Sequence, residues 1–302
     1  MRVHHAGKMG DLVYALPVIK ALARKHGKIT LITSALVYQL VPLLWEQPYL
    51  ADVEIDYQRA YKIDEGGCMN PWAVLGEDGI NLSPQPAMYR PASPVPWTLA
   101  YADIAGISEL TASDKIALPT LWNHRQWFWE HNVEVNGQPS RTHPRTVVLA
   151  PESETLKTIP LLMWAKIAHA LAERFTVLVI GRNPKNEFFT GDRRIFDLRG
   201  QTTIPSAARM LAEAHAAVCA NSLPWHLARH AGTPTWCFQD QYIDRCAPVD
   251  TPALYCTAEH WEKMVEQILE LAPGKSPKTT LWPRERMVEL MRSDAAKVAM
   301  SI

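Results

Sequence analysis

Side chains able to do chemistry follow several apolar, strand-like segments along the chain. Asp11 comes after the segment Met1–Ala6 and the loop Gly7–Gly10. A carboxylate at the end of a strand can act as a general base, but an aspartate at the start of a helix also serves as an N-cap. The glycine spacing matches neither phosphate-binding motif, GxxxxGK(S/T) or GxGxxG. Both roles of Asp11 therefore remain open at this point.

A lysine and several hydroxyl groups share a polar loop in the second half of the chain. Lys157 lies in Glu152–Pro160, between the strand-like segment Thr146–Ala150 and a helical one. A lysine in such a loop can place a positive charge on a phosphate leaving group. Ser153 and Thr155 can add hydroxyl donors. A solvated loop lysine is the alternative interpretation.

Asn221 and Ser222 stand between the buried-looking strand Ala216–Ala220 and the short helix Pro224–Ala231. Both residue types are preferred N-caps, and simple capping explains many such sequences. The N–H groups and the dipole at a helix start also bind anions, of which a diphosphate is the natural example. His226 lies near the start of this helix and is a candidate to face such a ligand.

Two series of alternating strands and helices must position these residues. The alternation predicts parallel, doubly wound sheets, with ligands at the carboxyl ends of the strands. The first series reads Met1–Ala6, a helix up to Lys25, Lys28–Thr33, Ala35–Trp45 and Ala51–Asp56. The second reads Thr146–Ala150, Leu161–Arg174, Phe175–Ile180, Arg194–Leu198, Ser206–His215, Ala216–Ala220, Pro224–Ala231, Thr235–Phe238 and the closing helices Glu259–Leu271 and Arg284–Met291.

The stretch between the two series is less regular. Tyr57–Trp97 is rich in proline and predicts a long functional loop. Thr98–Ile107 and the tryptophan-rich Leu121–Asn132 are predicted as helices, and Lys115–Leu118 as a strand. The polar segment Val133–Pro144 predicts the domain boundary, which gives domains 1–138 and 139–302.

Composition narrows the class of protein. The chain has 302 residues, of which 47% are hydrophobic, and 31 basic residues balance 31 acidic ones. This balance disfavours a dedicated nucleic-acid binder without excluding a nucleic-acid acceptor. The five cysteines form no CxxC pair, which indicates a reduced chain and no metal site. Neither a signal peptide nor an apolar span of membrane length is apparent, so a cytoplasmic location is expected, with peripheral membrane association left open.

Several segments, in the same order, resemble the heptosyltransferase-type glycosyltransferases of glycosyltransferase family 9. Ala6–Leu22 (AGKMGDLVYALPVIKAL) is similar to the family's Gly-Asp and Leu-Pro pattern, and Leu149–Trp164 (LAPESETLKTIPLLMW) to its lysine loop. Leu198–Pro205 (LRGQTTIP) resembles Leu-x-Gly-x-Thr-x-Leu-Pro. Cys219–Pro234 (CANSLPWHLARHAGTP) resembles Asp-Ser-Gly-Pro-x-His-Leu-Ala followed by Gly-Thr-Pro. The resemblance does not extend to Tyr57–Asn136.

The resemblance implies the GT-B architecture, an α/β fold with two Rossmann-like doubly wound parallel-sheet domains that face a central cleft. Residues 1–138 would bind the acceptor and 139–302 the donor, with the last helix packing back on the N-terminal domain. Asp11 would be the catalytic base and Lys157 the phosphate ligand. The implied donor-binding residues are Gly10, Ser153, Thr155, Gly181, Glu187, Thr202, Thr203, Asn221, Ser222 and His226.

The implied activity is an inverting, metal-independent transfer of a sugar from a nucleotide diphosphate to a hydroxyl of a lipopolysaccharide-type saccharide. The donor would be ADP- or UDP-linked, and no further cofactor is expected. Asn221 stands where the family has Asp, and Leu223 where it has Gly, which leaves the donor sugar open. Three alternatives remain: transfer to a modified nucleic-acid base or a protein, a non-catalytic nucleotide-sugar binder, and a nucleotide-sugar epimerase.

Overall fold

The computed structural model of the protein describes residues 1–57, 62–63, 69–70, 79–84, 97–132, 146–153, 159–183, 189, 191–238 and 254–272. At 62–63, 69–70, 127–132 and 254–255 it describes the backbone alone. These residues form two compact units, which divide between Pro119 and Thr120. The predicted boundary at 138 and the closing helix Arg284–Met291 lie outside the described residues and stay predictions.

The first unit is built around a four-stranded sheet. Its neighbouring strands are all parallel, in the order β3-β2-β1-β6, while β4 and β5 form a separate antiparallel pair. The strand and helix bounds are β1 (Arg2–His5), α1 (Met9–His26), β2 (Ile29–Ser34), α2 (Val41–Trp45), β3 (Leu50–Asp56), β4 (Lys62–Ile63), β5 (Met69–Asn70), β6 (Ile80–Asn81), α3 (Trp97–Ile104) and α4 (Ala112–Lys115). A 3-10 helix, Ala35–Leu40, precedes α2.

Helix α1 connects the first two strands and carries the predicted base. Apolar residues recur along it at helical spacing, and Leu12, Leu16 and Ile19 are completely buried. The helix continues through Pro17 and ends at Gly27. Gly27 has a φ of +82°, a backbone conformation that favours glycine and commonly terminates helices.

The predicted strand at Lys115–Leu118 is wrong. Lys115 is instead the last residue of the helical turn α4, which Thr111 and Asp114 cap reciprocally, and residues 116–118 form neither a helix nor a strand. The backbone N–H of Asp114 donates to Thr111 Oγ1 at 3.2 Å, and the backbone N–H of Thr111 donates to Asp114 Oδ2 at 2.9 Å. Ala117 and Leu118 are buried although they join no sheet, so the short apolar run indicated burial and not a strand.

The second unit contains a six-stranded, fully parallel sheet. The strand order is β12-β11-β10-β7-β8-β9. Counted from β7, this is the 3-2-1-4-5-6 order of Rossmann sheets. The elements are α5 (Pro119–Asn132), β7 (Thr146–Ala150), α6 (Leu161–Ala172), β8 (Thr176–Val179), β9 (Ile195–Asp197), α7 (Ile204–Glu213), β10 (Ala216–Cys219), α8 (Leu223–His230), β11 (Thr235–Phe238), β12 (Leu254–Cys256) and α9 (Trp261–Glu270).

Large aromatic side chains fill the core on one face of this sheet. Trp164, Trp236 and Phe238 are at most 1% exposed. The rings of Trp164 and Phe238 meet edge to face with centroids 5.0 Å apart, an arrangement that adds to the free energy of burial. This core holds α6 and α9 against the strands.

Helix α5 is fixed to the second unit by a buried arginine. Arg125 Nη1 donates to the carbonyl oxygens of Ala212 at 3.1 Å and Ala214 at 2.7 Å, and to Thr233 Oγ1 at 2.9 Å. The two carbonyls belong to the end of α7, where helical carbonyl groups lack partners within the helix. Burial lowers the pKa of Arg125 to about 10, so the guanidinium stays protonated at neutral pH.

No helix within the described part of the chain combines the length and the apolar character that crossing a membrane requires.

Candidate functional site

In each sheet, the first strand along the chain lies inside the sheet, and the later strands are added first on one side of it and then on the other. In the first unit this switch point lies between β1 and β6, and in the second between β7 and β10. Ligands of open α/β sheets bind in the crevice outside the carboxyl ends of the strands at such points. The candidate site of the first unit therefore consists of the loops after β1 and β6, and that of the second unit of the loops after β7 and β10.

Asp11 lies at the switch point of the first unit. It occupies the third position of α1, not the N-cap, and its Oδ2 accepts the backbone N–H of Lys8 at 3.0 Å. Only 8% of the residue is exposed. Burial raises the pKa of Asp11 from 3.8 to about 6, against the opposing effects of the Lys8 N–H and the Lys8 charge. A carboxylate with this pKa is mostly ionised at neutral pH, yet it binds a proton more readily than an exposed aspartate.

Gly7 brings the loops after β1 and β6 together. A Cβ atom at Gly7 would lie 2.7 Å from both His5 Cε1 and Pro84 Cγ, and 2.9 Å from the Asp11 Cβ. The backbone N–H of Ala6 also donates to Ser83 Oγ at 2.9 Å. Sequence reasoning singled out Gly10, at which an added Cβ meets nothing within 4 Å. The tight packing beside Asp11 therefore depends on Gly7.

His5 is a buried member of the same group. Its Nδ1 accepts the backbone N–H of Gly7 at 3.3 Å, and its ring meets the edge of Tyr101 with centroids 5.9 Å apart. Burial lowers the pKa of His5 to about 3, so the ring is neutral at any physiological pH. A neutral histidine adds no charge to the surroundings of Asp11.

In the second unit, the loops after β7 and β10 meet at the switch point. Ser153 Oγ donates to the backbone carbonyl of Asn221 at 3.2 Å, and Asn221 is 9% exposed. Ser222 precedes α8, but its hydroxyl makes no hydrogen bond to the start of that helix and makes a long contact of 3.4 Å to the Ala220 carbonyl. Helix capping by the Ser222 side chain, the simpler interpretation of this motif, is therefore not what the structure contains.

His226 lies inside α8 and is 3% exposed. Its ring is tilted against that of Trp225 at a centroid distance of 4.8 Å. Burial, followed by the charges of Arg229 and His230, holds the pKa of His226 well below its ordinary value. The ring is neutral and packed, and a donor-binding role for it stays a prediction.

Thr202 and Thr203 follow the end of β9. Thr203 is the N-cap of α7, because its Oγ1 accepts the backbone N–H of Ser206 at 3.3 Å. Thr202 is half-buried beside it. The hydroxyl of Thr203 thus has a structural use, while a ligand contact by either threonine stays a prediction.

Glu152 is the site residue that sequence reasoning missed. Its carboxylate accepts the backbone N–H groups of Arg182 at 2.7 Å and Asn183 at 3.0 Å, in the loop after β8. Gly181 allows this approach, since a Cβ there would lie 2.7 Å from the Glu152 Cδ. The sequence did indicate a glycine, Gly181, directly after a predicted strand. It did not indicate which residue packs against this glycine, because Glu152 lies 29 positions earlier and belongs to no recognisable motif with it.

Three of the predicted site residues, Thr155, Lys157 and Glu187, lie outside the described residues, and their roles stay predictions. Among the residues that the structure describes, no three histidine, cysteine, aspartate or glutamate side chains come together in a way that could hold a metal ion.

Two parallel-sheet α/β units, the second with Rossmann order, define the class of fold. It is the GT-B fold, as the sequence resemblance implied. No protein-family model matches the chain, and no curated protein matches it by sequence.

Solved structures of a family 9 glycosyl transferase and of heptosyltransferases share this fold over most of their length. A family 9 glycosyl transferase from Veillonella parvula has a TM-score of 0.58 at 11% identity and covers 98% of this chain and 97% of its own. For the ADP-heptose lipopolysaccharide heptosyltransferase II of E. coli the TM-score is 0.61 at 15% identity, with 90% and 98% covered. For E. coli heptosyltransferase WaaC with ADP it is 0.59 at 11% identity, with 89% and 100% covered. The predicted resemblance is confirmed at the level of the fold.

Proposed function

We propose that the protein is a glycosyltransferase that moves a sugar from a nucleotide diphosphate to an acceptor hydroxyl, with inversion and without a metal ion. The observation that carries the proposal is the position of Asp11: a buried carboxylate with a pKa of about 6 at the switch point of the first sheet. A general base works best when its pKa lies near the working pH.

Asp11 removes the proton from the acceptor hydroxyl as the oxygen bonds to the anomeric carbon of the donor. The bond from that carbon to the diphosphate breaks on the opposite face, and the electron pair leaves with the diphosphate. Lys157 and the start of α8 at Ser222 stabilise the charge that accumulates on the leaving group. The Ser153–Asn221 hydrogen bond supports this assignment, because it joins the two loops that flank the switch point of the second sheet.

The names of the similar structures suggest the substrates. One similar enzyme is named for ADP-heptose and lipopolysaccharide, and another was solved with ADP. An ADP-linked sugar is therefore the first donor to test, with a UDP-linked sugar as the second. The proposed acceptor is a lipopolysaccharide-type saccharide.

The test measures release of nucleoside diphosphate from nucleotide sugars, with and without acceptor saccharides, for the wild type and two variants. Asp11→Asn removes the base. Asp114→Asn is the matched control, because Asp114 also occupies the third position of a helix and accepts the N-cap N–H. We expect Asp11→Asn to lower kcat by about 100-fold or more and Asp114→Asn to keep most of the activity per folded molecule.

Two results contradict the proposal. Near-full transfer by folded Asp11→Asn would remove the base assignment. Failure of the wild type to bind or consume any ADP-, UDP-, GDP- or CDP-linked sugar would remove the activity itself.

A further inference from the structure

A carboxylate from the loop after β7 lies at the carboxyl end of β8. Glu152 Oε2 accepts the backbone N–H groups of Arg182 and Asn183 at 2.7 and 3.0 Å, and Oε1 makes a longer contact of 3.3 Å to the same N–H of Asn183. Gly181 provides the space for it. Two backbone N–H groups in one loop therefore hold this side chain in one place.

The position matters because of the strand order of the second sheet. β7 is the first strand of that sheet and β8 is its neighbour on the side away from β10. In Rossmann sheets the phosphates bind near the first strand, and an acidic residue within the same βαβ unit accepts a hydrogen bond from a ribose hydroxyl. In this protein the described carboxylate at the end of β8 is that of Glu152.

The carboxylate still has acceptor capacity. A carboxylate offers about four lone-pair positions, and the two N–H groups engage Oε2 more strongly than Oε1. Glu152 is only half-buried, so a ligand can approach it. The Arg199 guanidinium, held by Asp197 at 2.7 Å, contributes a favourable charge interaction with Glu152. Among the described residues, the shorter hydrogen bonds go to Oε2, so Oε1 can accept a further hydrogen bond.

We propose that Glu152 is a specificity-determining residue that accepts a hydrogen bond from a ribose hydroxyl of the donor nucleotide. The proposal rests on the proposed function, since it assigns part of the same nucleotide site. Glu152 thereby selects ribonucleotides over deoxyribonucleotides. Gly181 acts through Glu152, because it lets the carboxylate lie against the loop backbone.

The experiment is calorimetric titration of the full-length protein. Whichever of ADP, GDP and UDP binds most tightly is compared with its 2′-deoxy and 3′-deoxy forms. The variants are Glu152→Gln, which removes the charge, and Gly181→Ala, which displaces the carboxylate without removing it. Glu266→Gln on the exposed face of α9 is the control. The measured quantity is the dissociation constant of each deoxy form divided by that of the ribonucleotide. A general weakening of the loop raises all of these constants alike and leaves the ratio unchanged.

We expect the wild type and Glu266→Gln to bind the ribonucleotide about tenfold or more tightly than at least one deoxy form, as a hydrogen bond to a charged group allows. In Glu152→Gln and Gly181→Ala the ratio falls towards one. An unchanged ratio in Glu152→Gln, or a wild type that does not distinguish the sugars, overturns this inference and leaves the proposed function standing. Absence of binding by every nucleoside diphosphate overturns both.

Discussion

Replacing Asp11 by asparagine should stabilise the folded protein at neutral pH while it removes the proposed base. The folded-state pKa of Asp11 is about 6, above the ordinary 3.8. The folded chain therefore binds this proton more tightly than the unfolded chain does. The stability that results is fully present below about pH 4 and is lost as the pH rises through 6.

The size of the effect follows from the shift in pKa. A shift from 3.8 to about 6 corresponds to a cost of about 3 kcal/mol for keeping Asp11 ionised in the folded state at high pH. Asparagine retains an oxygen that can accept the Lys8 N–H, and it carries no charge at any pH. The gain in stability of Asp11→Asn should therefore grow from near zero at pH 4 to about 2–3 kcal/mol at pH 8.

Asp114 provides a control of opposite sign. Burial alone would raise the pKa of Asp114, but the hydrogen bonds from Arg24 and Thr111 outweigh it and hold the pKa below its ordinary value. The ionised form of Asp114 is therefore stabilising, and that stability is present at neutral pH and lost in acid. Asp114→Asn should destabilise the protein at pH 8.

The assay is urea unfolding of the wild type and both variants at pH 4.5, 6 and 8, compared by the free energy of unfolding. The reasoning predicts opposite signs for the two variants at pH 8 and convergence of Asp11→Asn with the wild type in acid. If Asp11→Asn lowers the stability at pH 8 as Asp114→Asn does, then Asp11 is an ordinary capping residue and burial does not disfavour its charge.

Three further predictions concern packing. Gly7→Ala should destabilise the fold by about 1–3 kcal/mol in thermal denaturation and lower activity, because the new Cβ has no space. The control Gly10→Ala should leave the stability unchanged or raise it by up to about 1 kcal/mol. Arg125→Met should cost about 3 kcal/mol in urea unfolding because the carbonyls at the end of α7 lose their donor, while His124→Ala should cost less than about 1 kcal/mol. Thiol reagents should modify the described buried cysteines only after unfolding, namely Cys219, Cys237 and Cys256.

The positions of the polar loops could be predicted from the sequence. Asp11, Ser153 and Asn221 each follow an apolar run that is followed in turn by a helical pattern. That local alternation is enough to place them at the carboxyl ends of parallel strands. The strands β6 and β12 were missed, because two or three residues are too few to show periodicity.

Contacts between distant segments could not be predicted in this way. Glu152 reaches N–H groups 30 and 31 positions away, and Gly7 is confined by Pro84 from a proline-rich region without periodicity. The choice between a capping role and a base role for Asp11 also depended on packing. The Lys8 N–H accounts for the capping contact, whereas burial by the surrounding residues raises the pKa. Spacing along the chain predicts where a loop lies, but the distant residues that pack against that loop are determined by the tertiary structure.

The packing of α5 against the second unit determines where the chain can be divided without loss of stability in that unit. The helix precedes the second sheet in sequence, yet Arg125 supplies the donor for carbonyls at the end of α7. A fragment that starts at Thr146 would leave those carbonyls to water and expose the surface under α5. A fragment that starts at Pro119 keeps this support and should therefore be more stable than one that starts at Thr146, although the strand pattern alone would assign α5 to the first unit.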